Sequence, residues 1–288
     1  MRTASWTITH KRIIAMSSAR RTRPNASRAR VLEAFASLRI PFQEEELDAA
    51  LSQAEKQRMS YLDVLAAVIG PPADRRRERA VQRRIREARF AEEKILDQFD
   101  WQFNAKAIDR MQMEAFATCE FIRRGENIVL VGQSGIGKSH LMQAIGRQGC
   151  FLGYRVRYIT SAQLICDLTA GLADKTLPQR LRYYARFDLL IIDEFGFDRI
   201  ERSESPDAPN LLYKVIDSRR GKLSTILITN IDFDAWSEYL GDPPLAMALL
   251  DRLVENATVL RIAKARSYRA HRQAKKGRRT SATNNHTE

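Results

Sequence analysis

One octapeptide constrains the fold of this chain more than any other feature. Gly132-Gln133-Ser134-Gly135-Ile136-Gly137-Lys138-Ser139 satisfies G-x-x-x-x-G-K-[ST] at every position. It follows the apolar run Ile128-Val129-Leu130-Val131 and precedes a helix-length segment, Ser139 to Gly149. The spacing has a chemical reason. Glycines let the loop curl so that successive backbone N–H groups point at phosphate oxygens, and the following helix adds its positive N-terminal end. Lys138 places a compact charge on the β- and γ-phosphates, and the Ser139 hydroxyl is a ligand for Mg²⁺. The candidate nucleotide-binding residues are Gly132, Gln133, Ser134, Gly135, Ile136, Gly137, Lys138, Ser139 and His140. A chance glycine-rich turn would have no reason to sit between a strand and a helix.

Such a site needs an apolar strand ending in a carboxylate. Leu189-Leu190-Ile191-Ile192-Asp193-Glu194 supplies it, 55 residues beyond Lys138. Asp193 can hold Mg²⁺ through water, and Glu194 is placed to polarise the water that attacks the γ-phosphate. An Asp-Glu pair in a loop usually marks a solvated turn; closing an unbroken apolar strand downstream of a phosphate loop, it reads differently. One further run, Val156 to Ile159, falls between the two motifs. That leaves room for a strand between theirs, the arrangement of ATPases with a catalytic glutamate rather than of small GTPases. Ser224 to Ile228 is another β-type run, followed by Thr229 and Asn230, and Ala257 to Ile262 is the last. Asn230 is a candidate sensor of the γ-phosphate or the attacking water, although an Asn after a strand is otherwise a turn residue. Strands alternating with helical segments (Ser161 to Leu172 and Asn210 to Arg220 besides the first) predict an α/β fold with a parallel sheet covered on both faces.

Charge divides the 288 residues into three parts. Lys and Arg number 48 against 35 Asp and Glu, for a net +13. Residues 1–90 carry a net +9, residues 91–260 a net −4 and residues 261–288 a net +8. Two basic ends around a slightly acidic middle point to a polyanionic partner, with nucleic acid the commonest. Apolar residues at helical spacing (Val31, Leu32, Phe35, Leu38; Leu47, Leu51; Tyr61, Leu62, Leu65, Val68, Ile69) predict a small helical domain, with a stop at Gly70-Pro71-Pro72. The arginine-rich stretch after it fits a helix along a phosphate backbone and equally a linker helix packed on a narrow stripe of Val81 and Ile85. These readings divide the chain into a basic tail at 1–28, a helical DNA- or partner-binding domain at 29–100, a nucleotide-binding core at 101–262 and a basic tail at 263–288. Cys119, Cys150 and Cys166 have no metal-ligand or disulfide spacing. No apolar run reaches the roughly 18 residues of a membrane helix, and Ile13 to Met16 is too short for a secretory core. A cytoplasmic protein without membrane contact is expected, with Met16 an alternative start to Met1.

With those residues in hand, the sequence resembles the IstB-like ATP-binding proteins, helpers of insertion-sequence transposases related to the DnaC-like helicase loaders. The resemblance rests on FDWQFNAKAIDRMQMEAFATCEFIRRGENIVLVGQSGIGKSHL, LLIIDEFGFDRI, TILITNIDFDAWSEYLGDPPLAMALLDRL and Ser267-Tyr268-Arg269, within about Val31 to Arg269. It implies an AAA+ P-loop core with a five-stranded parallel sheet. It also implies homo-oligomers on DNA with ATP and Mg²⁺ at the subunit interfaces. Arg252 looks like the family's arginine finger, which reaches a neighbour's γ-phosphate, and Arg269 like a second arginine on the nucleotide side. Two departures stand out: Lys264-Ala265-Arg266 replaces the usual glycine before Ser-Tyr-Arg, and Arg202 to Pro209 is a polar loop. Only 26 residues follow the last predicted strand, too few for a helical lid, so a lidless core is expected.

Three functions follow. The first is an ATP-hydrolysing transposition helper that assembles on target duplex DNA and recruits or stimulates a partner transposase. The second is a replicative helicase loader, and the third is a non-hydrolysing ATP switch or scaffold, against which Glu194 speaks. Few aromatics lie among the basic runs, which favours duplex phosphates over stacked single strands.

Overall fold

The computed structural model describes residues 24–197, 206–263 and 265–271. The basic ends expected at 1–28 and 263–288 therefore lie largely outside the described residues, as does the first half of the polar loop. The chain divides into two compact units, one ending at Arg79 and the other beginning at Ala80.

The first unit is helical. Helix α1 (Pro24–Ser37) and helix α2 (Glu44–Gln57) precede α3 (Tyr61–Ala88). Their core is small: Leu47, Ala50 and Val68 are buried, with Leu32, Phe35 and Phe42 packed against them. Phe35 and Phe42 stack with ring centres 4.4 Å apart. Arg75 grips Glu46 with two hydrogen bonds of 2.8 and 2.9 Å, and Arg28 pairs with Asp48. Helix α3 runs through Gly70-Pro71-Pro72, where the sequence predicts a stop. Each proline removes an N–H donor and sets its ring against the carbonyl four residues back, so the pair weakens this helix without ending it. Of the apolar residues counted toward a stripe there, only Val68 is buried, while Tyr61 is 93% and Leu62 77% exposed.

The second unit is a parallel sheet sandwiched by helices. Its strands are β1 (Asn127–Gly132), β2 (Val156–Thr160), β3 (Leu189–Phe195), β4 (Ser224–Thr229) and β5 (Ala257–Ile262). All pairs are parallel, in the order β2-β3-β4-β1-β5. Because successive side chains point to opposite faces, each central strand feeds two cores. Val129, Val131, Leu190 and Ile192 face one cluster, while Ile128, Leu130, Leu189 and Ile191 face the other. Burial on both sides explains why these strands read as unbroken apolar runs.

The elements between the strands complete the two layers. Two short helices, α4 (Arg110–Ala117) and α5 (Glu120–Arg124), precede β1. Helix α6 (Lys138–Phe151) links β1 to β2, and α7 (Ser161–Ala173) and α8 (Leu177–Tyr184) link β2 to β3. Helix α9 (Ala208–Arg219) leads to β4; α10 (Trp236–Leu240) and α11 (Pro243–Val254) lead to β5. Residues 80–100, which the sequence reading grouped with the helical domain, fall in this unit. Ala88 is fully buried in the second cluster, and Ile85, Phe90, Leu96 and Phe99 pack against it. No helix among the described residues is long and apolar enough to cross a membrane.

Arg219, 1% exposed, ties the sheet's lower end together. Its guanidinium donates to the carbonyls of Tyr184 (2.6 Å), Phe187 (2.9 Å) and Ser224 (2.6 Å) and to Thr225 Oγ1 (3.1 Å). Burial lowers its pKa to about 9, against the pull of Asp188. Replacing it strands several buried acceptors, each costing about 1–3 kcal/mol. Arg219→Met should therefore lower unfolding free energy by about 3 kcal/mol in a denaturant titration. Arg220→Met, which breaks an exposed pair with Glu255, should leave the denaturation midpoint nearly unchanged.

Candidate nucleotide-binding site

The loop between β1 and α6 is built on close approach. Gly135 and Gly137 hold φ of +83° and +101°, a region side chains rarely adopt. A Cβ on Gly137 would lie 2.6 Å from the Phe99 ring, and one on Gly135 would strike Ser267 Oγ. Lys138 is only 8% exposed, and its ammonium donates to the loop's own carbonyls, Gly132 at 2.5 Å and Gln133 at 2.8 Å. Burial lowers its pKa to about 8, opposed by the charge of Asp193 and reinforced by that of Arg269.

Sheet order decides what faces this loop. β4 lies between β1 and β3, so Asn230, just past β4, sits between the loop and the end of β3. Asp193 is 2% exposed, and both of its oxygens are engaged: the Tyr158 hydroxyl donates to Oδ2 at 2.7 Å and the Glu194 N–H to Oδ1 at 2.8 Å. The pairing of β3 with β4 shifts register between Ile192 and Phe195. Glu194 occupies that irregularity with φ +61°, exposed in an otherwise buried strand. The left-handed conformation is costly for a residue with a Cβ, and here it turns Glu194 out of the core and into the cavity.

That cavity measures about 420 Å³ and is lined by Ser134 through His140, Asp193, Glu194 and Asn230. The structure thus gathers the phosphate-loop candidates, the two acids and Asn230 around one space, with Gly132 and Gln133 contributing carbonyls to Lys138. His140 Nε2–H donates to the Ile95 carbonyl at 2.9 Å, its ring edge-on to Phe99. Arg252 is not there. It lies on α11, bonded to Asp217 at 3.1 Å and Asp251 at 2.9 Å, and the Asp217 hydrogen bond raises its pKa.

The lining also includes Arg269, expected on the nucleotide side, and three residues to which the sequence assigns no role, Phe99, Phe103 and Asn104. Phe99, Phe103 and Asn104 form one wall, and Tyr268 with Arg269 another. Asn104 clamps Arg266 on both sides, donating to its carbonyl and accepting its N–H, each at 3.0 Å. The Arg266 guanidinium lies 5.1 Å from the centre of Phe103, and the Tyr268 N–H donates to the Gly135 carbonyl at 2.9 Å. These bonds bring Ser267-Tyr268-Arg269 to the phosphate loop without the glycine that usually precedes it. The dense aromatics of FDWQFN were the available signal for this wall. Tyr158 gave none, because a tyrosine in an apolar run reads as core.

A glycine cradle, a buried lysine, and an acid pair across an intervening strand define a phosphate-loop nucleotide-binding core. The comparisons narrow this: the chain belongs to the IstB-like ATP-binding protein family, whose model matches residues 34–276. Among its relatives is an insertion-sequence IS21 protein of Pseudomonas aeruginosa, provisionally named for ATP binding. The two are 33% identical over 231 residues, 80% of this chain and 85% of the relative. A similarly named IS5376 protein of Geobacillus stearothermophilus is 31% identical over 83% of this chain and 93% of its own length. Among solved structures, that of DnaI is similar at 20% identity with a TM-score of 0.49, covering 63% of this chain and 94% of DnaI.

The depressed pKa of Lys138 has a measurable consequence. Phosphate needs the ammonium form, so binding must pull a proton onto Lys138 wherever the free site has lost it. Affinity for a fluorescent ATP analogue should be flat below about pH 8. Above it, affinity should fall by up to about tenfold per pH unit, as read in titrations between neutral pH and roughly two units higher.

Proposed function

We propose that this protein is an ATP-hydrolysing helper of an insertion-sequence transposase, acting on duplex DNA in the cytoplasm. The observation that carries hydrolysis is Glu194. A backbone irregularity and a left-handed φ hold this carboxylate out of a buried strand, in the cavity that Lys138 and Asn230 also line. Glu194 would accept the proton of the attacking water, Asn230 would orient that water or the γ-phosphate, and Lys138 would trade its loop carbonyls for phosphate oxygens. The walls carrying Phe99, Phe103, Asn104 and Tyr268 suit a purine base, with apolar faces and an amide.

The residues also fit Mg²⁺. Ser139 and Asp193 offer hard oxygen donors at one cavity. No group of three or more His, Cys, Asp or Glu among the described residues makes a self-sufficient cage. Mg²⁺ held there would complete its shell with phosphate and water, and it supplies positive charge where phosphate charge develops.

The transposase partner is inferred from the insertion-sequence names of the relatives. Duplex DNA is inferred from charge. Six exposed arginines (76, 77, 79, 83, 86 and 89) lie on or just after α3, at spacings that suit backbone phosphates. Arg252 would act in trans, leaving Asp217 and Asp251 for a neighbouring subunit's γ-phosphate within an oligomer.

The deciding experiment is the ATPase rate without DNA, with duplex and with single strands, at two salt concentrations. Duplex should stimulate and the effect should fade with salt; stimulation by single strands alone would assign a helicase loader instead. Glu194→Gln should cut turnover by about 10²–10⁴ while keeping nucleotide affinity, and Lys138→Ala should abolish binding. Turnover per subunit should rise with protein concentration, and Arg252→Ala should remove that rise without weakening nucleotide binding.

A further inference from the structure

Asp193 has a partner that the scheme above does not use. Tyr158 stands on β2 two residues before Thr160, which faces Asp193 in the parallel pairing. A side chain of that length reaches diagonally from one strand to the next. Its ring is buried beside Phe90, with ring centres 6.3 Å apart, and its hydroxyl donates to Asp193 Oδ2 at 2.7 Å. A phenylalanine would fill the same volume without a polar group to satisfy. The hydroxyl instead meets a carboxylate that lines the nucleotide cavity.

The second oxygen completes the picture. Oδ1 accepts the Glu194 N–H at 2.8 Å, from the residue whose left-handed backbone sets the other acid. With one protein donor on each oxygen, the carboxylate cannot rotate about its bond to Cβ, and each oxygen keeps a lone pair for another ligand. We infer that Tyr158 is a positioning residue for the metal-side carboxylate: its hydroxyl fixes the plane in which Asp193 presents its free lone pairs to Mg²⁺ or to Mg²⁺-bound water. This rests on the reading of Asp193 as the acid on the metal side. Groups that orient metal-ligating side chains typically matter by 10–100-fold in metal affinity.

The test compares Tyr158→Phe, Asp193→Ala and the double variant, in the full chain. The readout is affinity for a fluorescent ATP analogue as Mg²⁺ is titrated, and again in EDTA, with the thermal midpoint of each variant alongside. Tyr158→Phe keeps the ring and its packing on Phe90. It should raise the Mg²⁺ concentration for half-maximal tightening by about tenfold and leave the EDTA affinity within about twofold. In the Asp193→Ala background the same change should add nothing. Equal losses with and without Mg²⁺ would mean that Tyr158 serves packing alone and would overturn the inference. So would an unchanged Mg²⁺ response in Tyr158→Phe alongside a changed one in Asp193→Ala, which leaves the reading of Asp193 intact. An unchanged response in Asp193→Ala would overturn that reading, and this inference with it.

Discussion

The pairing of β4 between β1 and β3 is the constraint on which the site depends. Adjacent strands lie about 4.8 Å apart, so inserting one strand sets the phosphate loop and the acid pair roughly two spacings from each other. That is room for a phosphate group, and Asn230, at the end of the intervening strand, occupies the middle of the gap. Were β1 and β3 direct neighbours, the buried Lys138 and Asp193 would crowd toward a plain ion pair. The structure instead has the Lys138 ammonium on two carbonyls and Asp193 on two protein donors.

Much of this was legible in the sequence, for a physical reason. Strands covered on both faces read as near-continuous apolar runs, so β1, β3 and the Ile226–Ile228 centre of β4 announce themselves without periodicity. The phosphate loop announces itself because only glycine tolerates φ near +100° with an aromatic ring 2.6 Å from where a Cβ would be. The acid pair was readable from its place at the end of such a strand. The helical domain was harder. Its core rests on a few side chains such as Leu47, Ala50 and Val68, so most apolar residues at helical spacing there are not core. Gly70-Pro71-Pro72 misled in the same region: proline disfavours a helix interior but does not always end one, and α3 continues through the pair.

Residues acting through long-range contacts were not legible. Asn104 binds Arg266 across 162 positions, and Tyr158 reaches Asp193 across 35. Nothing local marks either: an asparagine beside aromatics reads as loop, and a tyrosine within a short β-type run reads as core. Arg252 illustrates the opposite limit. Its expected role came from the resemblance alone, and within one chain it pairs with Asp217 and Asp251. A role at a neighbour's nucleotide is a property of an assembly, and local sequence pattern carries no record of it.

The energetic pattern of the second unit argues that the cavity, rather than the fold, dictates its least stable features. Lys138 is buried with only carbonyls for partners, an arrangement that burial alone disfavours enough to lower its pKa. Glu194 holds a backbone conformation that costs on the order of 1–3 kcal/mol. Neither strengthens the sheet: an apolar residue at 138 and a glycine at 194 would suit the empty fold better. Both converge on one 420 Å³ space, and a bound phosphate would relieve the first by supplying the counter-charge that the loop carbonyls lack. Arg219 shows the contrast. More deeply buried, it donates to four protein acceptors. Arg219 thus spends its donors on the fold, whereas Lys138 lines the cavity, where a phosphate would take the place of its two carbonyls.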